Sequence, residues 1–239
     1  MSLTEHPRID LNADLGEGVT DDDALLAVVT SANVACGFHA GDEAVMRAVC
    51  ERAVSLGVAV GAQVSYADRE GFGRRPMDVG HDLLADWVAE QVALLSGIAA
   101  AAGTAVTYVK PHGALYNRVA DDAGQAAAVL AGSGTLPVLG LPDSALLRLA
   151  HRAGREIVPE GFPDRGYTDE GRLVPRDRPG ALVEDPAQIA ANAVALAGRG
   201  DVRTVCVHGD SPGAVAAASA VRTALVEAGY DVRSWASEG

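Results

Sequence analysis

The sequence predicts an α/β fold built from repeated βα units around a parallel sheet, and three observations predict it. Short β-branched apolar runs alternate with longer amphipathic or Ala-rich stretches along all 239 residues, the pattern of strands joined by crossover helices. Hydrophobic residues make up 49% of the chain but aromatics only 4%, so the core must be assembled from Ala, Val, Leu and Ile, which suits helices packed closely on a buried sheet. The unusual polar residues collect just after strand candidates, the end at which parallel α/β folds carry their chemistry.

Taken in order, strands are expected at 8–11, 31–35, 59–62, 105–109, 137–139, 156–158 and 205–207, with 231–235 a weaker eighth. Helices are expected between them at 21–29, 42–56, 82–102, 121–130, 143–153, 186–197 and 212–228. Asp42, Asp121 and Asp143 suit N-caps, while Pro186 and Pro212 suit first helical positions. Gly57, Gly103, Gly154 and Gly229 each follow an apolar helical run, where a left-handed residue ends the helix. No Pro/Ser-rich linker, charge block or long repeat interrupts the rhythm, so one domain spanning 1–239 is expected. The long irregular stretch 161–183, rich in Arg, Asp, Gly and Pro, reads as a lid or substrate loop.

A formal net charge of -13 argues against nucleic acid and anionic membrane surfaces as partners, since both are bound through basic patches. Residues 1–8 lack a charged region followed by an apolar stretch, and no run of eighteen apolar residues occurs, so a cytoplasmic protein is expected. Cys36, Cys50 and Cys206 are odd in number and widely spaced, which excludes a complete disulfide framework and a CxxC metal site and leaves buried, reduced thiols. Of 19 basic residues, 18 are Arg; Lys110 is the only lysine, and it precedes Pro111-His112-Gly113.

Strand one delivers Asp10, Asn12, Asp14 and Glu17, strand two Asn33 and His39, and strand three Gln63 followed by Gly71-Phe72-Gly73-Arg74-Arg75. Strand four ends in Lys110, His112, Tyr116 and Asn117; after strand six come Glu160, Phe162, Asp164 and Arg165, and after strand seven His208 and Asp210. Any one of these has a plainer explanation: a half-exposed strand face for Asp10-Leu11-Asn12-Ala13-Asp14, a hydrogen-bonded structural imidazole for a lone His. His6, His81 and His151 are set aside on that ground. Yet three of the six histidines, three of the four asparagines and the single lysine share one rim, which independent accidents would not produce.

The rim offers Asp14, Glu17, Asp164, Asp210, His39, His112 and His208 as general acids or bases. Lys110, Arg74, Arg75 and Arg165 can bind a carboxylate or a phosphoryl group. Asn12, Asn33, Gln63 and Asn117 can fix an amide by paired donor and acceptor contacts. There is no GxxxxGK[ST] loop and no GxGxxG after a strand. Asp14, His39 and His112 could form a site of one carboxylate and two imidazoles, but spacing set by separate strands leaves a metal open.

The segments Asp10–Gly18, Asn33–Asp42, Gly71–Arg75, Val109–Asn117 and Val207–Asp210 together resemble the LamB/YcsF family of bacterial 5-oxoprolinase A subunits, over Ile9 to Asp210. The resemblance implies a (β/α) barrel, seven-stranded and similar to polysaccharide deacetylases. It also implies a reaction that opens 5-oxoproline to L-glutamate with hydrolysis of ATP, carried out with partner subunits B and C. In that reading Asp14, His39, Lys110, His112, His208 and Asp210 carry the reaction, with Lys110 on a phosphoryl or lactam oxygen and His39 or His112 activating water while Asp14 orients it. Arg74 or Arg165 would bind the substrate carboxylate, beside Asn12, Glu17, Asn33, Gln63, Arg75, Tyr116, Asn117 and Asp164. Many members have His-Pro where this chain has Gln63-Val64, so an imidazole's role there does not carry over and no metal site is assigned. The alternatives are a stand-alone metal-dependent deacetylase or amidase, and a non-catalytic substrate-binding subunit.

Overall fold

The computed structural model describes residues 6–209 and 213–237. Seven parallel strands close on themselves in sequence order: β1 (Arg8–Leu15), β2 (Ser31–Ala35), β3 (Ala59–Val64), β4 (Val106–Pro111), β5 (Val138–Gly140), β6 (Ile157–Gly161) and β7 (Thr204–Val207). Closure is made by β1, whose residues 12–15 pair with β2 and whose residues 10–13 pair with β7. A two-residue β8 (Asp231–Val232) pairs with Arg8 and Ile9, ahead of the β2 register, and a single 3-10 turn at Trp235–Ser237 follows it. The expected eighth strand is thus shorter than 231–235 and lies outside the ring.

Helices coat the outside: α1 (Asp22–Leu26), α2 (Glu43–Leu56), α3 (His81–Ala101), α4 (Gly113–Asp121), α5 (Ala123–Gly132), α6 (Ala145–Arg152), α7 (Pro186–Arg199) and α8 (Ala214–Glu227). Asp42 caps α2 through Val45 N–H, and Gly57 ends it in the left-handed conformation, as the sequence suggests. Two expected caps shift by one residue. Asp122 rather than Asp121 caps α5, accepting from Gly124 and Gln125 N–H, and Ser144 rather than Asp143 caps α6. α4 is not legible in advance, because its Gly113 and Asn117 are poor helix formers; burial of Leu115, Tyr116, Val119 and Ala120 holds it. Pro212 lies outside the described residues. α3 is long and apolar enough to cross a bilayer, but here it packs on α5 and over β3 and β4.

The main apolar core lies between strands and helices, built from residues such as Leu11, Leu15, Val34, Val60, Val109 and Val205. Each fully buried Leu or Val there is worth about 1.5–3 kcal/mol. The inside of the ring is different. Asp10, Asn12 and Asp14 alternate with Leu11, Ala13 and Leu15 as the pleat requires, and all six are buried. The polar face of β1 therefore points into the barrel and not, as a half-exposed strand would, into water. The base of the interior is closed by Tyr108, Leu139 and Val158, with Trp235 packed beneath them. Gly61 makes room for this layer: a Cβ there would lie 2.0 Å from the Tyr108 ring.

Candidate active site

The strands deliver a continuous hydrogen-bonded column from the barrel base to its C-terminal mouth. At the bottom, the hydroxyls of Thr30 and Ser31 each donate to Asp10 Oδ1 at 2.7 Å, and Thr204 donates to Asp10 Oδ2. One layer up, Asn12 Nδ2 donates to Thr204 Oγ1 (2.6 Å) and to Glu160 Oε1 (2.9 Å). Asn33 Nδ2 donates to Asn12 Oδ1 (2.7 Å) and Asp14 Oδ1 (2.9 Å), while its Oδ1 accepts from Tyr108 (2.8 Å). Both amides are therefore spent on protein partners, and neither lines the cavity above them.

Lys110 sits at the top of this column, buried, with Nζ 3.1 Å from Asp14 Oδ1, 3.0 Å from Glu160 Oε1, 3.0 Å from Cys206 Sγ and 3.4 Å from Asn12 Oδ1. Four acceptors surround three N–H groups. Burial alone would discharge the ammonium, but Asp14, Cys206 and Glu160 outweigh it and raise its pKa well above the usual lysine value. For Asp14 burial works upward, while the charge and hydrogen bond of Lys110 outweigh it and hold the carboxyl well below the usual range. Two members of this cluster, Glu160 and Cys206, are given no chemical role by the sequence. Glu160 lies within β6, which runs to Gly161 and not to 158, and also accepts from the Tyr116 hydroxyl at 3.0 Å. Cys206 lies on the inward face of β7, opposite to its neighbour Val205, and its burial and pairing with Lys110 distinguish it from an inert core thiol; all three cysteines are free and buried.

A cavity of about 680 Å³ opens over the cluster, with Asp14 and Lys110 on its floor and His112, Tyr116, Phe162 and His208 around them. Arg74, Arg165, Arg172 and Arg176 also line it, together with Asn117. Residues 172–177 of the irregular loop form one wall. Arg165 braces that loop, donating to the carbonyls of Ala181 (3.0 Å) and Val174 (2.8 Å), and Arg172 pairs with Asp121 at 2.8 Å. Arg172 and Arg176 were not expected, since nothing in the local sequence separates them from other loop arginines. Arg75 points instead toward Asp68 and Glu70 (3.6 and 3.5 Å) with a mostly exposed side chain. Asp210 lies outside the described residues. A wider cleft of about 1010 Å³ beside β8 has no buried titratable group on its walls.

The three rim imidazoles are set differently. His208 Nδ1 lies 2.9 Å from Asp164 Oδ2, which also accepts the His208 backbone N–H at 3.0 Å, and the ring stacks on Phe162 at 5.1 Å. Burial pushes Asp164 up, but His208 outweighs it and keeps the carboxyl below its ordinary value. Nε2 is thus the His208 nitrogen left for the cavity. His112 donates Nε2–H to the Phe72 carbonyl (3.1 Å), so Nδ1 carries its lone pair and accepts from Gln63 Nε2 at 2.9 Å. Burial, reinforced by His39, depresses its pKa well below the usual histidine value and keeps it neutral. His39 lies parallel to His112 with ring centroids 4.1 Å apart. The turn that carries His112 depends on Gly113, which has φ +60° and would place a Cβ 2.4 Å from the Gly73 carbonyl.

Glu17, His39 and His112 each present one ligand atom within 4.8 Å of the others. Two imidazoles and a carboxylate suit a borderline divalent cation, and the residues present fit one.

Comparison with known proteins identifies the family. The LamB/YcsF family model matches residues 9–238. The 5-oxoprolinase A subunit of Streptomyces coelicolor is 55% identical over 249 residues, covering 95% of this chain and 100% of that protein. The crystal structure of a lactam utilization protein from Thermus thermophilus superposes with a TM-score of 0.88 at 36% identity, covering 95% of this chain and 100% of that one. The peptidoglycan deacetylase PdaC of Bacillus subtilis, at 16% identity and a TM-score of 0.54 over 96% of this chain and 88% of that one, shares the fold alone. With its motifs on one barrel mouth and its near full-length relatives agreeing, the chain belongs to the LamB/YcsF family.

Proposed function

We propose that the chain is the A component of an ATP-dependent 5-oxoprolinase, opening the lactam of 5-oxoproline to L-glutamate together with partner subunits. The relatives' shared name supports the reaction. One observation on the chain itself carries the site: the His208–Asp164 pair borders a cavity floored by Asp14, a carboxylate held by Lys110. A lactam is a poor electrophile, and phosphoryl transfer from ATP to its oxygen, releasing ADP, activates the ring carbon. Water adds there, the C–N bond breaks to leave an acyl phosphate, and hydrolysis of that phosphate yields the glutamate carboxylate and inorganic phosphate. The sequence has neither common phosphate-loop motif, so the nucleotide is assigned to a surface shared with subunits B and C.

Within this reading, Asp164 fixes the His208 tautomer, and Nε2 takes the proton of the water that attacks the ring carbon and returns it to the ring nitrogen as the C–N bond breaks, a role worth about 10²–10⁴-fold in rate. Asp14 Oδ1 is occupied by Lys110 and Asn33, so Oδ2 accepts the lactam N–H and orients the ring. Arg74 and Arg176 bind the substrate carboxylate and phosphoryl oxygens at the rim. Lys110, held by its four acceptors, fixes Asp14 and shares the cavity floor with it. His208→Ala and Asp14→Asn in the assembled complex test the assignment: each should lower 5-oxoproline-dependent ADP release at least about hundredfold. Near wild-type turnover by both variants would sink it.

A second reading, metal-assisted lactam opening by the chain alone, is favoured by the donor set of Glu17, His39 and His112. These residues would hold the cation, which supplies Lewis-acid polarisation when bound. Turnover abolished by chelation and indifferent to ATP supports this reading; ATP-dependent turnover insensitive to chelation removes it.

A further inference from the structure

His39 is 1% exposed, yet neither ring nitrogen has a hydrogen-bond partner among the described residues. A buried polar atom left unpaired costs about 1–3 kcal/mol, and this ring holds two. Its Nε2 lies 3.7 Å from Glu17 Oε1, and His112 Nδ1 lies 3.5 Å from the same oxygen. Because His112 commits its only N–H to the Phe72 carbonyl, Nδ1 is an acceptor, as is the Glu17 carboxylate. Two acceptors facing each other need something positive between them.

In this structure the Gln63 amide fills that need. Its Nε2 is 2.9 Å from Glu17 Oε1 and 2.9 Å from His112 Nδ1, one proton for each. The arrangement solves one problem by creating another, since Gln63 Oε1 is then buried without a donor, and Ser65 Oγ is unpaired as well. Four unsatisfied polar atoms around one pair of stacked imidazoles mark a place built for a group other than an amide.

From this geometry we infer that Glu17, His39 and His112 form a binding site for one divalent cation, with the Gln63 carboxamide as a displaceable plug. Metal–nitrogen and metal–oxygen bonds of about 2.0–2.2 Å place tetrahedral ligand atoms about 3.4 Å apart, close to the observed 3.5 and 3.7 Å. The His112 N–H on a backbone carbonyl is the support that orients a metal-bound imidazole and fixes its tautomer. A cation occupies one unpaired nitrogen of His39 and takes over the bridging done by Gln63 Nε2. A turn of the carboxamide then offers Oε1 as a fourth, weaker ligand. The donor set of two imidazoles, a carboxylate and an amide oxygen selects zinc, cobalt or manganese over calcium. Displacing two Gln63 hydrogen bonds makes the affinity lower than that of a permanently open site.

The assignment does not rest on the ATP-coupled reading, and its test measures binding, so the two can fail separately. The full-length chain is stripped by dialysis against chelator and titrated with Co²⁺ by visible absorption and with Zn²⁺ by calorimetry. One equivalent should bind, with the intense bands of four- or five-coordinate cobalt. Glu17→Gln, which keeps size and removes charge, should weaken binding at least about hundredfold, in line with loss of a direct ligand. Gln63→Glu, which turns the plug into a charged ligand, should tighten it at least tenfold. Circular dichroism confirms that each variant is folded, and either one settles the site if the other fails to fold. No stoichiometric uptake by the wild type, or uptake that ignores both substitutions, overturns the proposal.

Discussion

Lys110 Nζ and Glu160 Oε1 stand 3.0 Å apart inside the barrel, with side chains 3% and 0% exposed. With Asp14 on the other flank, one ammonium holds two carboxylates together in a site largely shielded from water. Removing one partner of such a group leaves the others uncompensated, which costs about 3–5 kcal/mol. Lys110→Met should therefore lower the stability of the chain by that amount, read from urea denaturation. A change under about 1 kcal/mol, the range of an exposed pair, would show that the ammonium does not hold the interior.

Tyr116→Phe removes the hydroxyl that donates to Glu160 Oε2 and keeps the ring edge-on against Phe162 at 5.4 Å. The loss should be about 1.5–3 kcal/mol, the range for a hydrogen bond to a charged group. Cavity shape is preserved, so kcat should fall while KM moves little. A raised KM with unchanged kcat would instead mean that the hydroxyl meets substrate.

Asp10 gives the stability a pH signature. Burial pushes its carboxyl from 3.8 up to about 6, against the lowering effect of the Thr204, Thr30 and Ser31 hydroxyls. Between those values the folded state binds the proton more tightly than the unfolded chain. The associated stability is fully present below about pH 4 and is lost as pH rises through about 6, a swing of up to about 3 kcal/mol. Asp10→Asn carries no such proton. Urea denaturation at stepped pH should show the wild type losing stability relative to Asp10→Asn across that window, and parallel profiles would refute the assignment.

Gly113→Ala combines a left-handed φ of +60° with a Cβ 2.4 Å from the Gly73 carbonyl. Backbone strain and overpacking should together cost about 2–4 kcal/mol and displace the adjacent His112. Thermal unfolding and turnover should fall together; an unperturbed melting temperature would count against the tight approach of the two loops.

The strand and helix order was legible because β-branched runs and Ala-rich runs differ in period and length, and because caps such as Asp42 and Gly57 act locally. α4 was not, since its Gly113 and Asn117 argue against helix and only tertiary burial of Leu115 and Tyr116 overrides them. The rim was legible from position after a strand, which put Asp14, His112 and His208 at the mouth where one cavity lies. That same rule gave no role to Glu160 or Cys206. Strand period alone cannot say which alternate residues of β6 and β7 turn inward, and the depth of Glu160 follows from barrel closure. It also assigned Asn12 and Asn33 to substrate, whereas closure places them below the cavity, saturated by neighbours.

The column from Ser234, whose hydroxyl lies 3.0 Å from that of Ser31, through Asp10, Thr204 and Asn12 to Lys110 gives the two layers of this barrel different rules of change. Outside the ring, contacts are non-directional, and a Val or Leu can be exchanged for another apolar residue of similar size at little cost. Along this column each donor of Thr204 and Asn12 is matched to a named acceptor, so a single exchange strands a neighbour. Paired exchanges there will depart from additivity. A sequence drifting through this fold is free to wander on its outer face but must move its inner residues in concert.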